Sequence, residues 1–191
     1  MDVTSITPSP DALKALTHPL RLRMLGLLRI EGPATATTLA TRLGLNTGAT
    51  SYHLRQLERH GFVVEDTERG NARDRWWKAA HQATMTDTAP PADPAEKETL
   101  EAYLQSVAVV MTQTLQRSVE ELGLLPPEWA DATSYSDWVI RLTPARAKAL
   151  LETLHEVLHA EPEEEDAEDA VQYVVQLNGF PYPGRVGGAG A

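Results

Sequence analysis

Thr47, Gly48, Ser51, Tyr52, Arg55 and Arg59 fall on one face when residues 47–59 are wound as an α-helix. Small, hydroxyl, aromatic and guanidinium groups side by side suit recognition rather than bond-making. Hydroxyls reach base edges and phosphates, and a guanidinium donates two hydrogen bonds to a guanine edge. Thr50, Leu54 and Leu57 recur on the opposite face, toward a core. A second constellation spells H-E-x-x-H, with His155, Glu156 and His159. In a zincin, two imidazoles one turn apart hold zinc, and the glutamate between them is the base. Here helix geometry is expected to turn Ala147, Leu150, Leu151, Leu154, Val157 and Leu158 inward, while His155 and His159 continue the polar flank of Lys148 and Glu152. No downstream acid has the distinctive spacing of a third ligand. A zinc-dependent hydrolase is therefore the alternative from another class, and the expectation is no enzyme, no catalytic residue, no metal site and no cofactor.

The recognition face needs a scaffold, and residues 35–61 supply one. Thr35 can cap a first helix whose apolar positions are Leu39, Ala40 and Leu43. Gly44 stands where a helix end calls for a left-handed residue, and Asn46 or Thr47 can cap the second helix. Helix, short Gly turn, helix is the helix-turn-helix layout, although an αα-hairpin in any helical domain has the same outline. After Gly61 the period turns extended: residues 62–67 read as a strand, 68–72 as a tip and 73–78 as the return. Trp76 and Trp77 must point to opposite faces. Arg69, Arg73 and Arg75 cluster near the tip, as a wing gripping the DNA backbone requires, or as a solvated hairpin permits. Upstream, residues 1–10 read as a loose arm, Asp11 opens a helix to about Thr17, and a dense apolar helix follows from Leu20 to Ile30. Arg21 and Arg23 lie toward its start, where they could meet phosphate.

Charge is divided along the chain. The net charge is −10, which argues at first against nucleic acid. Residues 11–80, however, hold 11 Lys and Arg against 7 Asp and Glu, and residues 81–191 hold 6 against 19. A polyanion-binding module joined to an acidic partner module accounts for this division. There is no cysteine, which excludes disulfides, thiolate metal sites and cysteine nucleophiles. No signal pattern and no apolar run of bilayer length is visible, so a cytoplasmic protein is expected.

The runs ALKALTHPLRLRMLGLL, TTLATRLGL, TSYHLRQLERHGFVV and DRWWKAA resemble the winged-helix domain of ArsR-type bacterial transcription regulators. Ser51, His53, Leu54, Leu57, Gly61 and Val63 carry the S-x-H-L-x-x-L-x-x-x-G-x-V pattern, and the likeness spans about residues 11–80. It implies that the second helix enters the major groove with Thr47, Gly48, Ser51, Tyr52 and Arg55 facing the bases. With Arg21, Thr35, Arg69, Arg73 and Arg75 these form the expected DNA-binding set. The Cys-bearing metal motif of the family's sensors is replaced here by TATTLATRL, so thiolate sensing is not carried over. His53 is expected to pack inward as a satisfied structural histidine, with a phosphate contact as the alternative.

The expected fold class is α+β: a winged helix-turn-helix over residues 8–81, a Pro/Ala-rich linker at 82–95, and a long helix with a small α/β domain over 96–183. Residues 184–191 read as a disordered tail. Leu100, Tyr103, Leu104, Val107, Met111 and Leu115 form an apolar stripe on the long helix, which must bury against a second subunit, against the chain itself, or both; dimerisation is the expected reading. Residues 136–142 and 170–177 read as strands either side of a helix from Pro144 to Ala160. Residues 161–169 read as a solvated acidic loop. Trp129, Trp138 and Tyr173 could line a pocket for a small-molecule effector of unspecified kind, or be plain core. The expected protein is a cytoplasmic, homodimeric repressor binding an inverted repeat in double-stranded DNA. A winged-helix protein-interaction module is a further alternative, disfavoured by the basic wing and by Arg55.

Overall fold

The computed structural model describes residues 4–69, 74–86, 89, 91–161 and 169–186. The fold is α+β, and the chain gathers into two units, Met1–Leu124 and Leu125–Ala191.

The first unit begins with strand β1 (Ser5–Ile6) and helix α1 (Pro10–Leu13), which runs on as a 3-10 turn at Lys14–Leu16. Ser9, not Asp11, caps α1, its hydroxyl accepting from the Ala12 amide ahead of a proline at the first turn. Helix α2 (Pro19–Ile30) is capped by the ring of His18, which accepts from the Leu20 amide. Strand β2 (Ala34–Thr35) leads into α3 (Ala36–Leu43), and α4 (Thr47–Arg59) follows. Thr35 and Asn46 cap these two helices as their types suggest, accepting from the Thr38 and Ala49 amides. Gly44 ends α3 at φ 65 and Gly61 follows α4 at φ 76, left-handed conformations in which a Cβ would be strained.

Strands β3 (Val63–Glu65) and β4 (Trp76–Ala79) are the hairpin arms, and β4 sits centrally, antiparallel to both β3 and β2. The tip residues 70–73 lie outside the described residues. Trp77 is buried and Trp76 half-buried, the alternation expected of a strand. The core gathers Leu16, Met24, Leu25, Leu28, Leu39, Leu54, Leu57 and Phe62, and each fully buried Leu contributes roughly 1.5–3 kcal/mol of apolar transfer.

Strand β5 (Ala83–Thr84) pairs in parallel with β1, so neither the arm at 1–10 nor the linker at 82–95 is wholly loose. Arg29 reinforces this clasp by donating to the His81 carbonyl and the Thr84 hydroxyl, both at 2.9 Å. Helix α5 (Pro94–Glu121) packs its first half on α1 and α2, and a 3-10 turn at Leu122–Leu124 closes the unit. Leu100 and Tyr103 are buried in the core, Val107 packs against it, and the Ser106 hydroxyl donates to the Thr17 carbonyl at 2.6 Å. Leu100, Tyr103 and Val107 of the expected stripe thus face the chain's own helices. Leu104 and Leu115 stay exposed and Met111 half-buried.

The second unit holds α6 (Pro127–Asp131) and α7 (Pro144–Ala160). Residues 136–142 and 170–177 run without helix or turn, and neither joins a sheet among the described residues. The period-2 patterns are there, but the expected strands lack ladder partners. No described residue of this unit is buried. Trp129 and Tyr173 stack at 6.3 Å, with the Tyr173 hydroxyl donating to the Ala132 carbonyl, whereas Trp138 is 80% exposed and encloses nothing. Of the expected acidic loop, residues 162–168 are outside the described residues, as are 187–191 of the tail; Arg185 donates its amide to the Tyr182 carbonyl in a turn.

Candidate nucleic-acid interface

Helix α4 separates its two faces cleanly. Thr50, Leu54 and Leu57 are buried, and the Thr50 hydroxyl returns to the Asn46 carbonyl at 3.2 Å. On the outer face Thr47, Gly48, Tyr52, Arg55 and Arg59 are exposed and Ser51 is half-buried. Arg55 Nε donates to the Ser51 carbonyl at 3.2 Å, which lays the exposed side chain back along the helix. A Cβ on Gly48 would stand 3.3 Å from Asn46 Oδ1, the atom that caps the helix. A larger residue there would press on the cap, so Gly48 both keeps the cap and leaves the helix start open to close approach.

The hairpin is braced from beneath. Asp66 is buried and accepts from Lys78 Nζ at 3.2 Å, with Arg69 Nε 3.6 Å from its other oxygen. Arg75 pairs with Glu65 at 3.1 Å and lies 5.4 Å from the Trp77 ring centroid, so it is held by charge below and by the aromatic face beside it. Arg69 and Arg75 remain more than half exposed. Arg73 lies outside the described residues.

Between the start of α3, the outer face of α4 and β4 lies an open cleft of about 420 Å³. Thr35, Thr37, Ser51, Arg55 and Arg75 line it together with the acid Asp74. Hydroxyls and two guanidiniums around one concavity can hold a phosphate oxygen. Thr37 was not among the expected DNA-binding residues, although the TATT run at the start of α3 carries the signal.

Arg21 is placed differently from the expectation. Its Nε donates to the Ala15 carbonyl and its second terminal amine to the Lys14 carbonyl at 3.1 Å, tying α2 to the preceding turn. Burial pulls its guanidinium below the ordinary arginine value. These two donors serve the chain's own backbone rather than pointing to a ligand. His53 is half-buried, its ring 4.8 Å from that of His18.

His155, Glu156 and His159 are exposed on α7, and no group of three or more His, Asp or Glu gathers for a metal among the described residues. No helix among the described residues is long and apolar enough to cross a membrane.

Residues 16–66 match a family model described as a helix-turn-helix domain. No curated protein matches the chain. Similar solved structures include one titled as a possible transcriptional regulator for arsenical resistance, at 25% identity over 56% of this chain and 95% of that one, TM-score 0.33. A mutant of ZitR from Lactococcus lactis in apo form is 14% identical, covering 73% and 81%, TM-score 0.33. YusO from Bacillus subtilis is 12% identical, covering 79% and 82%, TM-score 0.33. The chain carries a helix-turn-helix domain in its winged form.

Proposed function

We propose that this protein is a cytoplasmic, sequence-specific DNA-binding transcription regulator that acts as a homodimeric repressor on an inverted repeat, in the manner of ArsR-type regulators. One observation carries the reading: the exposed, hydroxyl- and arginine-bearing face of α4 adjoins a hairpin that holds Arg69 and Arg75 outward. The helix-turn-helix match over residues 16–66 supports it. In this reading Thr47, Gly48, Ser51, Tyr52 and Arg55 meet base edges, while Thr35, Thr37, Arg69, Arg73 and Arg75 meet the backbone.

Support for a dimer comes from the outer face of α5. Leu104, Leu115, Val119 and Leu122 are exposed there, and with Ala108 and Met111 they follow spacings of three and four residues. A second copy of the same helix is a self-complementary partner for such a seam. Two α4 helices related by a dyad then reach major grooves about one helical turn apart.

Selection of bound duplexes from a random library tests the proposal. The expected outcome is an inverted repeat with half-sites spaced by about one helical turn, bound more tightly than random DNA at the same salt. Equal affinity for every duplex would sink it.

A further inference from the structure

Residues 136–142, SDWVIRL, leave Trp138 80%, Val139 79%, Ile140 57% and Leu142 44% exposed, with no sheet partner among the described residues. An extended segment of this length presents a row of backbone donors and acceptors beside an apolar face, a template for pairing with another strand. Its alternation puts Trp138, Ile140 and Leu142 on one side and Asp137, Val139 and Arg141 on the other.

The charges specify the partner. In an antiparallel pair of identical strands with a dyad through Val139, Asp137 stands opposite the partner's Arg141, and Arg141 opposite the partner's Asp137. Trp138 then faces the partner's Ile140, an aromatic and β-branched pair of the kind that stabilises sheets. A dyad perpendicular to the sheet must pass through a residue, since only then do opposed side chains share a face. Moving it to Trp138 or Ile140 separates both charge pairs. Only the register centred on Val139 joins them. Within the chain neither Asp137 nor Arg141 has an ion-pair partner among the described residues. Residues 170–177, the other extended run of the unit, carry no charge to answer them.

We infer that residues 136–142 pair antiparallel with the same segment of a second copy of this chain, across a dyad at Val139. This rests on the homodimer proposed above and gives it a second interface, separate from the α5 seam. The pairing joins the apolar faces of the two strands into one wider face, with each Trp138 beside the partner's Ile140.

The chain has no cysteine, so a single introduced thiol reads the dyad directly. Opposed Cα atoms in an antiparallel pair lie about 4.5–5.5 Å apart, within disulfide reach. Val139→Cys in the full chain should cross-link to itself under mild oxidation, whereas Val157→Cys, also exposed on α7, should not. Asp137→Arg and Arg141→Asp should each raise the dimer dissociation constant roughly tenfold, because two symmetry-related pairs become like-charged at once. The double exchange should restore it. If Val139→Cys stays reduced in a protein that sediments as a dimer, the strand pairing is wrong and the α5 seam survives. A monomeric wild type overturns both. Intrachain cross-linking of Val139→Cys with Val175→Cys would assign the segment to residues 170–177 instead, and would also overturn the inference.

Discussion

The imidazole of His53, on the buried flank of α4, lies 4.8 Å from that of His18, the cap of α2. Two elements that must stay in register for α4 to be presented therefore meet through a pair of titratable rings. His53 Nδ1 is buried without a hydrogen-bond partner, Tyr52 packs edge-on at 5.5 Å, and the Arg21 charge acts on both rings. Burial lowers both histidines from their ordinary value; the Arg21 charge lowers them further, and His18 adds to the effect on His53.

The pH dependence follows in sign. The unfolded chain takes up protons at these positions near pH ~6.5, before the folded chain does. Stability is therefore full above that pH and falls as pH drops from about 6.5 through the lower folded-state values. Melting temperatures from pH 7.5 to 5 should show this decline, and His53→Gln should make it shallower. A decline of unchanged steepness in the variant would show that other groups control it.

Asp66 bears the underside of the hairpin. Replacing it with Ala leaves Lys78 and Arg69 without their shared acceptor and opens a gap beneath β4. Both cations are partly solvated, which limits the loss, and a destabilisation of about 1–3 kcal/mol is expected in urea unfolding. DNA binding should weaken as well, since Arg69 is no longer held. A variant as stable as the wild type would mean that the brace contributes nothing measurable.

The two faces of α5 should respond in opposite ways. Leu100→Ala removes a buried side chain from the core and should cost about 2–3 kcal/mol without altering assembly. Leu115→Glu lies on the exposed face, should stay within about 0.5 kcal/mol of wild-type monomer stability, and should weaken the dimer. Sedimentation and thermal melting together separate these outcomes.

Much of this arrangement is legible in residue types, because the devices are local. Gly44 and Gly61, the caps Thr35 and Asn46, and the inward Thr50, Leu54 and Leu57 need only helix geometry to be read. What escapes depends on distant partners. The two-residue β2 exists through pairing with β4, forty residues away, and β1 through β5, nearly eighty away. Arg21 has the position of a phosphate ligand, and only the folded chain brings the Lys14 and Ala15 carbonyls to it. The stripe on α5 is wide enough for two partners, and its pattern does not say that Leu100 and Tyr103 go to the chain's own core. Residues 136–142 show a strand's alternation, yet alternation names no neighbour.

His155, Glu156 and His159 stand exposed on α7, where surface substitutions change little. His155→Ala with His159→Ala should therefore keep the melting temperature and DNA affinity of the wild type. Stoichiometric zinc in the purified protein, lost in this variant together with a hydrolytic activity, would reverse the assignment of function.

Arg55 and Arg75 line the same cleft and should nonetheless differ in what they report. Arg55 stands exposed on the outer face of α4, which meets base edges if the helix lies in the major groove. Arg55→Ala should then cost about 1–3 kcal/mol on the selected operator and relax preference at one position of each half-site. Arg75 sits on the hairpin between Glu65 and Trp77, off the helix axis, where the nearest part of a duplex is its backbone. Arg75→Ala should weaken operator and random DNA by the same factor. It should also flatten the dependence of log affinity on log salt by roughly one unit of slope for each phosphate that is no longer neutralised. Salt titrations of both duplexes with both variants measure the two effects together. Loss of sequence preference from Arg75→Ala with none from Arg55→Ala would exchange the two roles. No weakening from either would mean that this face of α4 does not meet DNA.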